Sequence, residues 1–144
     1  MIGLLFLLLV GAALLGGGYY FARIMIYPRV HPYQYTYEHE LEEGKISEPD
    51  FSGLPKQEVR LRSPFGYELF GLYITQKGAA KTVVLAHGIT WSRYGMGKYM
   101  WMFHRRGFNL LLYEHRNHGR SGGNNTTFGF YENHDLKVMV DWAF

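Results

Sequence analysis

Residues Ile2 to Ala22, IGLLFLLLVGAALLGGGYYFA, contain no Asp, Glu, Lys, Arg or His. As a helix rising ~1.5 Å per residue, such a run extends about 30 Å, the thickness of the hydrocarbon core of a bilayer. Tyr19 and Tyr20 fall near one end, where interfacial aromatics are favoured, and Arg23 closes the run. The first expectation is a single transmembrane anchor over residues 1–23, with the bilayer as its partner. A cleaved signal peptide is the competing reading, but no Lys or Arg precedes the apolar run, and Gly16 and Gly18 offer only a poor small-x-small site. A buried core helix is the third. Arg23 and Arg29 come after the span and no Lys or Arg precedes it, so the positive-inside rule puts the C-terminal side in the cytoplasm.

All of the charge lies C-terminal to the span, with 15 Lys+Arg against 12 Asp+Glu and a formal net charge of +3. This excess is too slight and too scattered for a nucleic-acid footprint, so no nucleic-acid partner is expected. The chain has no cysteine, which excludes disulfides, Cys-ligated zinc and a thiol nucleophile. Pro28, Pro32, Pro49 and Pro55 interrupt residues 28–56, and Glu38, Glu40, Glu42 and Glu43 form an acidic cluster there. Residues 24–56 are therefore expected to be a linker carrying at most a short solvated helix.

Residues 57–144 alternate between strand and helix signals. Gln57 to Arg62 alternates polar and apolar, Ser63 to Gly66 is a turn, and Tyr67 to Thr75 is a second strand, together an antiparallel hairpin. Thr82 to Ala86 and Phe108 to Tyr113 are continuous apolar runs, the pattern of strands buried on both faces. Between them Gly97 to Arg106 reads as a helix, with Arg105 and Arg106 in its last turn and Gly107 as its left-handed cap. Asn133 to Phe144 is a second helix, with Leu136, Met139, Val140, Ala143 and Phe144 on one face. The order predicts an α/β fold: an antiparallel hairpin, then a parallel βαβ unit. No further strand is present to bury the apolar face of the last helix, so the expectation is the N-terminal part of a longer domain. In isolation it would expose that face and an edge of the 108–113 strand.

Two loops carry the chemistry. His87-Gly88-Ile89-Thr90 leaves the carboxyl end of a central strand, where α/β folds place their sites. Gly88 permits a tight turn, after which the Ile89 N–H can face the crevice and stabilise an oxyanion. Glu114-His115-Arg116-Asn117-His118-Gly119-Arg120-Ser121-Gly122-Gly123 comes directly after the next strand. Together the two loops resemble the α/β-hydrolase superfamily, which carries HG after its third strand and acid-x-Arg-x-x-Gly-x-Ser after its fourth. Here Glu114 stands where the family usually has Asp. The match is closer to bacterial membrane-anchored serine hydrolases related to serine aminopeptidases and monoacylglycerol lipases, and continues through Lys98-Tyr99-Met100 and Phe128-Gly129-Phe130-Tyr131-Glu132.

The resemblance implies a serine hydrolase acting on a small ester or amide by acyl transfer, with Ile89 supplying a backbone oxyanion donor. It implies a loop-bracing role for His87, Gly88, Glu114, Arg116, Gly119 and Ser121. The family's nucleophile sits in G-x-S-x-G, which occurs nowhere in these 144 residues; Ser121 lies in GRSGG and Ser92 in TWSRY. The Ser, the acid and the His of the triad are thus expected outside this chain, and the chain alone is expected to be inactive. The alternative is a non-catalytic, membrane-tethered binding or structural module with a partial hydrolase fold. No cofactor or metal is expected. His115 and His118 are spaced HxxH beside Glu114, but a turn does not gather i and i+3 as a helix does. Gly95 and Gly97 begin a Rossmann-like GxG, but Met100 occupies the third glycine position.

Overall fold

The computed structural model describes residues 2–144. Helix α1 (Ile2–Ile26) is followed by α2 (Tyr33–Glu42) and α3 (Glu48–Ser52). Strands β1 (Lys56–Arg62), β2 (Glu68–Ile74) and β3 (Thr82–Ala86) come next. A 3-10 turn (Arg93–Met96), α4 (Gly97–His104), β4 (Asn109–Tyr113) and α5 (Glu132–Ala143) complete the order. No residue of α1 is buried. With 25 residues and no acid or base before Arg23, the helix is long and apolar enough to cross a membrane.

The four strands form one sheet in the order β1-β2-β4-β3. β1 and β2 pair antiparallel, β2 and β4 pair antiparallel, and β3 and β4 pair parallel with Val84 opposite Leu111. Parity explains the continuous apolar runs. Leu110 and Leu112 of β4 join Leu72, Ile74, Leu85 and Met100 on one face, beneath α4. Leu111 and Tyr113 join Val59, Leu69 and Met139 on the other, beneath α5. A strand covered on both faces has no polar side to show. The α4 cap is a left-handed Gly107, φ 81°.

Two expectations are corrected. The open edge does not belong to the 108–113 strand. β4 is paired on both sides, and the two edge strands among the described residues are β1 and β3. The chain passes from β3 through α4 to β4, which inserts between β3 and the hairpin.

The 24–56 segment is also no solvated tether. Its prolines begin and flank helices instead of breaking them: Pro32 is the residue before α2, and Pro49 lies in the first turn of α3, where a missing N–H costs nothing. Ile46 and Phe51 are buried in the α4-side core. Glu40, from the acidic cluster, is buried and accepts a hydrogen bond from the Trp91 indole N–H at 2.9 Å. His31 and His39 pack edge-on against Trp91, and Tyr33 and Tyr37 pack against Tyr94. Aromatic residues spread through the sequence thus meet at this one interface.

Candidate functional site

The site lies at the carboxyl ends of the parallel strands β3 and β4, where the two loops meet. Two imidazoles, those of His87 and His118, lock them together. The His87 ring accepts the His115 N–H at Nε2 (3.1 Å), and its Nδ1 lies 2.7 Å from the Gly88 carbonyl. That pairing requires the neutral ring with its proton on Nδ1. Burial, then the neighbouring His115, lower the His87 pKa to about 3, which keeps that form at neutral pH. His118 repeats the arrangement: its Nε2 accepts the Thr90 N–H at 2.9 Å, and its Nδ1 lies 2.8 Å from the Arg116 carbonyl. Burial lowers its pKa too. His115 pairs with the Tyr113 hydroxyl at 2.8 Å through Nδ1. Five of the six ring nitrogens are therefore engaged, and His87, His115 and His118 have too few lone pairs left to ligate a metal among themselves.

The tight turn after β3 is made differently from the expectation. The left-handed residue is Thr90, φ 68°, not Gly88, whose position has open space where a Cβ would project. Thr90 is held there from two sides: its N–H donates to His118, and its carbonyl accepts the His31 N–H at 2.9 Å. Between Gly88 and Thr90, the Ile89 N–H meets no acceptor among the described residues. Its side chain is half exposed and lines a cavity of about 280 Å³ with His87, His115, His118, Thr126, Phe128, Gly129 and Glu132.

The second loop is organised around Glu114, which is fully buried. Its Oε2 accepts the Arg120 N–H at 2.6 Å, and its Oε1 lies 3.6 Å from Arg93 Nε. Burial raises its pKa, against the pull of Arg93. The Ser121 hydroxyl donates to the Glu114 carbonyl at 2.7 Å and accepts the Phe70 N–H at 2.9 Å. It ties the loop to β2 and is not free to act as a nucleophile. The Arg116 guanidinium sits over the rings of Tyr67 and Tyr131 at 5.0 and 4.5 Å and donates to Asn125 at 3.0 Å.

Three contributors escaped sequence reading. Arg93 is buried, bonds the Tyr33 hydroxyl, and faces Glu114 and Glu58. It thereby joins α2, β1 and the β4 loop. Asp135 is fully buried and accepts from the Ser63 and Tyr67 hydroxyls at 2.6 Å each. Glu132 accepts the Thr127 and Gly129 N–H groups at 2.7 and 2.9 Å, shaping the cavity wall. Burial works to raise its pKa, but these hydrogen bonds outweigh it and the pKa is lowered. In sequence, Glu132 appears only as the end of the Phe128–Glu132 match, and nothing distinguishes Asp135 or Arg93 from a surface charge.

A sheet of order β1-β2-β4-β3 with its loops joined at the carboxyl ends of β3 and β4 defines an α/β-hydrolase-like fold. The Pyrococcus furiosus esterase Pf2001 superimposes with a TM-score of 0.60 at 33% identity, over 67% of this chain and 37% of the esterase. GrgF, an α/β hydrolase from Penicillium sp. sh18, superimposes with a TM-score of 0.56 at 22% identity over 62% and 32%, a likeness of fold alone. YqkD, an uncharacterized protein of Bacillus subtilis, is 31% identical over 137 residues, 93% of this chain and 45% of YqkD. No protein-family model matches. The chain has an α/β-hydrolase-like fold, and it spans about half the length of the curated relative it matches.

Proposed function

We propose that this chain is the oxyanion-loop half of a membrane-anchored serine hydrolase that cleaves an ester or amide by acyl transfer. The observation that carries the proposal is the Ile89 N–H. It sits within the turn after β3, one residue before the left-handed Thr90 and beside the cavity, without an acceptor, while the flanking Thr90 N–H is committed to His118. A backbone donor left unpaired beside a cavity is suited to a charge that appears only during reaction. The esterase likeness supports the same chemistry, and α1 supplies the anchor.

In this reading the nucleophile comes from a strand added beside β3, the edge strand that runs parallel to β4, at the carboxyl end of which an elbow Ser would face Ile89. A neighbouring N–H after that Ser completes the oxyanion hole. His87, Glu114, Arg116, Gly119 and Ser121 hold the loops. The test is fluorophosphonate labelling of the 144-residue chain and of the full-length gene product. Labelling of an elbow Ser in the full-length product alone is expected. Labelling of the 144-residue chain, or no labelling of an active full-length product, overturns the proposal.

A further inference from the structure

The end of α1 is tied directly to the cavity wall. The Thr126 N–H donates to the Ile26 carbonyl at 2.8 Å, and Thr126 lines the cavity. Five residues on, the His31 N–H holds the Thr90 carbonyl on the opposite loop. Both rims of the cavity are thus bonded to the short segment that leaves the apolar helix.

That connection fixes a height. The uncharged run ends at Ala22, and Ile26 lies four residues further along the same helix, about 6 Å at 1.5 Å per residue. A headgroup layer is about 5–8 Å deep on each side of the hydrocarbon core. A helix that spans the bilayer with this run therefore carries Thr126 to headgroup level. The surface there suits that position: Phe128 and Phe130 are 60% and 71% exposed, Ile89 49% and Tyr27 57%. Such side chains cluster in water only at a cost, and in the headgroup region they are favoured. Arg23, three residues before Ile26 on the same helix, lies within that layer, where it attracts anionic headgroups.

We infer that the cavity opens into the headgroup layer, with Phe128 and Phe130 inserted there, and takes an ester whose acyl chain is held in the bilayer. The inference rests on the anchored-hydrolase reading for its substrate, and its membrane contact rests on α1 spanning the bilayer and on the tie from Ile26 to Thr126. A substrate in the membrane would reach Ile89 by moving outward along its own chain axis, without crossing bulk water.

The chain's lack of cysteine allows a single-site test. Phe128→Cys and Phe130→Cys are each labelled with an environment-sensitive fluorophore in the 144-residue chain, reconstituted into phosphatidylcholine–phosphatidylglycerol vesicles. Lys77→Cys, on the exposed turn before β3 at the far end of the sheet, is the control. Quenching by brominated lipid is expected to be at least twofold stronger at 128 and 130 than at 77. Equal quenching at all three overturns the membrane contact; the second site keeps the test decisive if one variant misfolds. In the full-length product, Phe130→Ser is expected to slow hydrolysis of a long-chain ester in vesicles about tenfold, with a short water-soluble ester unaffected. Equal loss on both esters overturns the substrate assignment. A full-length product that is deeply inserted but unlabelled by fluorophosphonate removes the hydrolase reading, and the substrate with it, while the membrane contact remains.

Discussion

The Glu114 carboxylate fills the space directly beneath Gly119. A Cβ built on Gly119 would lie 2.5 Å from Oε1 and 2.6 Å from Oε2, and the residue has φ 55°. The Glu114 side chain uses room that any residue but glycine at 119 would occupy. Gly119→Ala is penalised twice, by the left-handed backbone and by the clash. The expected loss is about 2–4 kcal/mol in urea unfolding. Glu114→Asp in the same background withdraws the carboxylate by one methylene. It should recover part of the loss, giving a coupling above about 0.5 kcal/mol in the double-mutant cycle. Strict additivity would show that the two residues do not compete for space.

Arg93 and Glu114 form a buried pair whose members are both almost inaccessible to solvent. Removing one partner leaves the other charged and dry. Arg93→Ala should therefore cost about 3–5 kcal/mol. Replacing both, Arg93→Met with Glu114→Gln, should cost less than Arg93→Ala alone. Thermal unfolding of the three variants in detergent checks this order, and a double variant weaker than the single one would contradict it.

Asp135 clamps α5 to the hairpin turn through Ser63 and Tyr67. Burial, then the hydrogen bond to Asp135, push the Tyr67 hydroxyl up to about 12, so it stays protonated and donating at any working pH. Tyr67→Phe keeps the ring under Arg116 but removes one donor to a buried carboxylate. A loss of about 1.5–3 kcal/mol is expected. A change below about 0.5 kcal/mol in chemical denaturation would mean the carboxylate finds a replacement partner.

The buried imidazoles make the fold acid-sensitive. The His87 pKa is lowered to about 3 in the folded chain, against about 6.5 when unfolded. Below pH 6.5 the unfolded state takes up a proton that the folded state refuses, so stability falls as pH drops from 6.5 toward 3. The slope from one such group is at most about 1.4 kcal/mol per pH unit. His115 and His118 are shifted the same way and steepen it. His87→Gln is expected to lower stability at pH 7.5 yet to flatten the profile between pH 6.5 and 4. Parallel pH profiles for the two proteins would show that His87 is not the group responsible.

Most of the sheet was legible because its signals are local. The apolar runs at 82–86 and 109–113 encode burial on both faces, and Gly107 and Gly66 mark turns by their left-handed backbone. The strand order was not legible, because insertion of β4 between β3 and the hairpin depends on the path of the crossover and leaves no trace in periodicity. The docking of 24–56 was missed for a related reason. Its buried positions, Thr36, Glu40, Ile46 and Phe51, are mostly polar or isolated, and they find partners 40 to 60 residues away. At the site, His87, Ile89 and Glu114 stood out through their loops. Arg93 and Asp135 did not, because their roles arise from contacts that only the folded chain makes.

Ile89 tests the chemistry most directly, because the proposal assigns the work to its backbone and not to its side chain. In the full-length gene product, Ile89→Ala retains the N–H and should change kcat less than threefold. Ile89→Pro deletes the N–H, and removal of one oxyanion donor lowers kcat about a hundredfold or more. KM should move far less than kcat, since the donor is engaged only when charge develops on the carbonyl oxygen. Circular dichroism of both variants controls for folding, with His118 still free to hold Thr90. Equal kcat for the alanine and proline variants, with the fold intact, would remove Ile89 from the oxyanion hole.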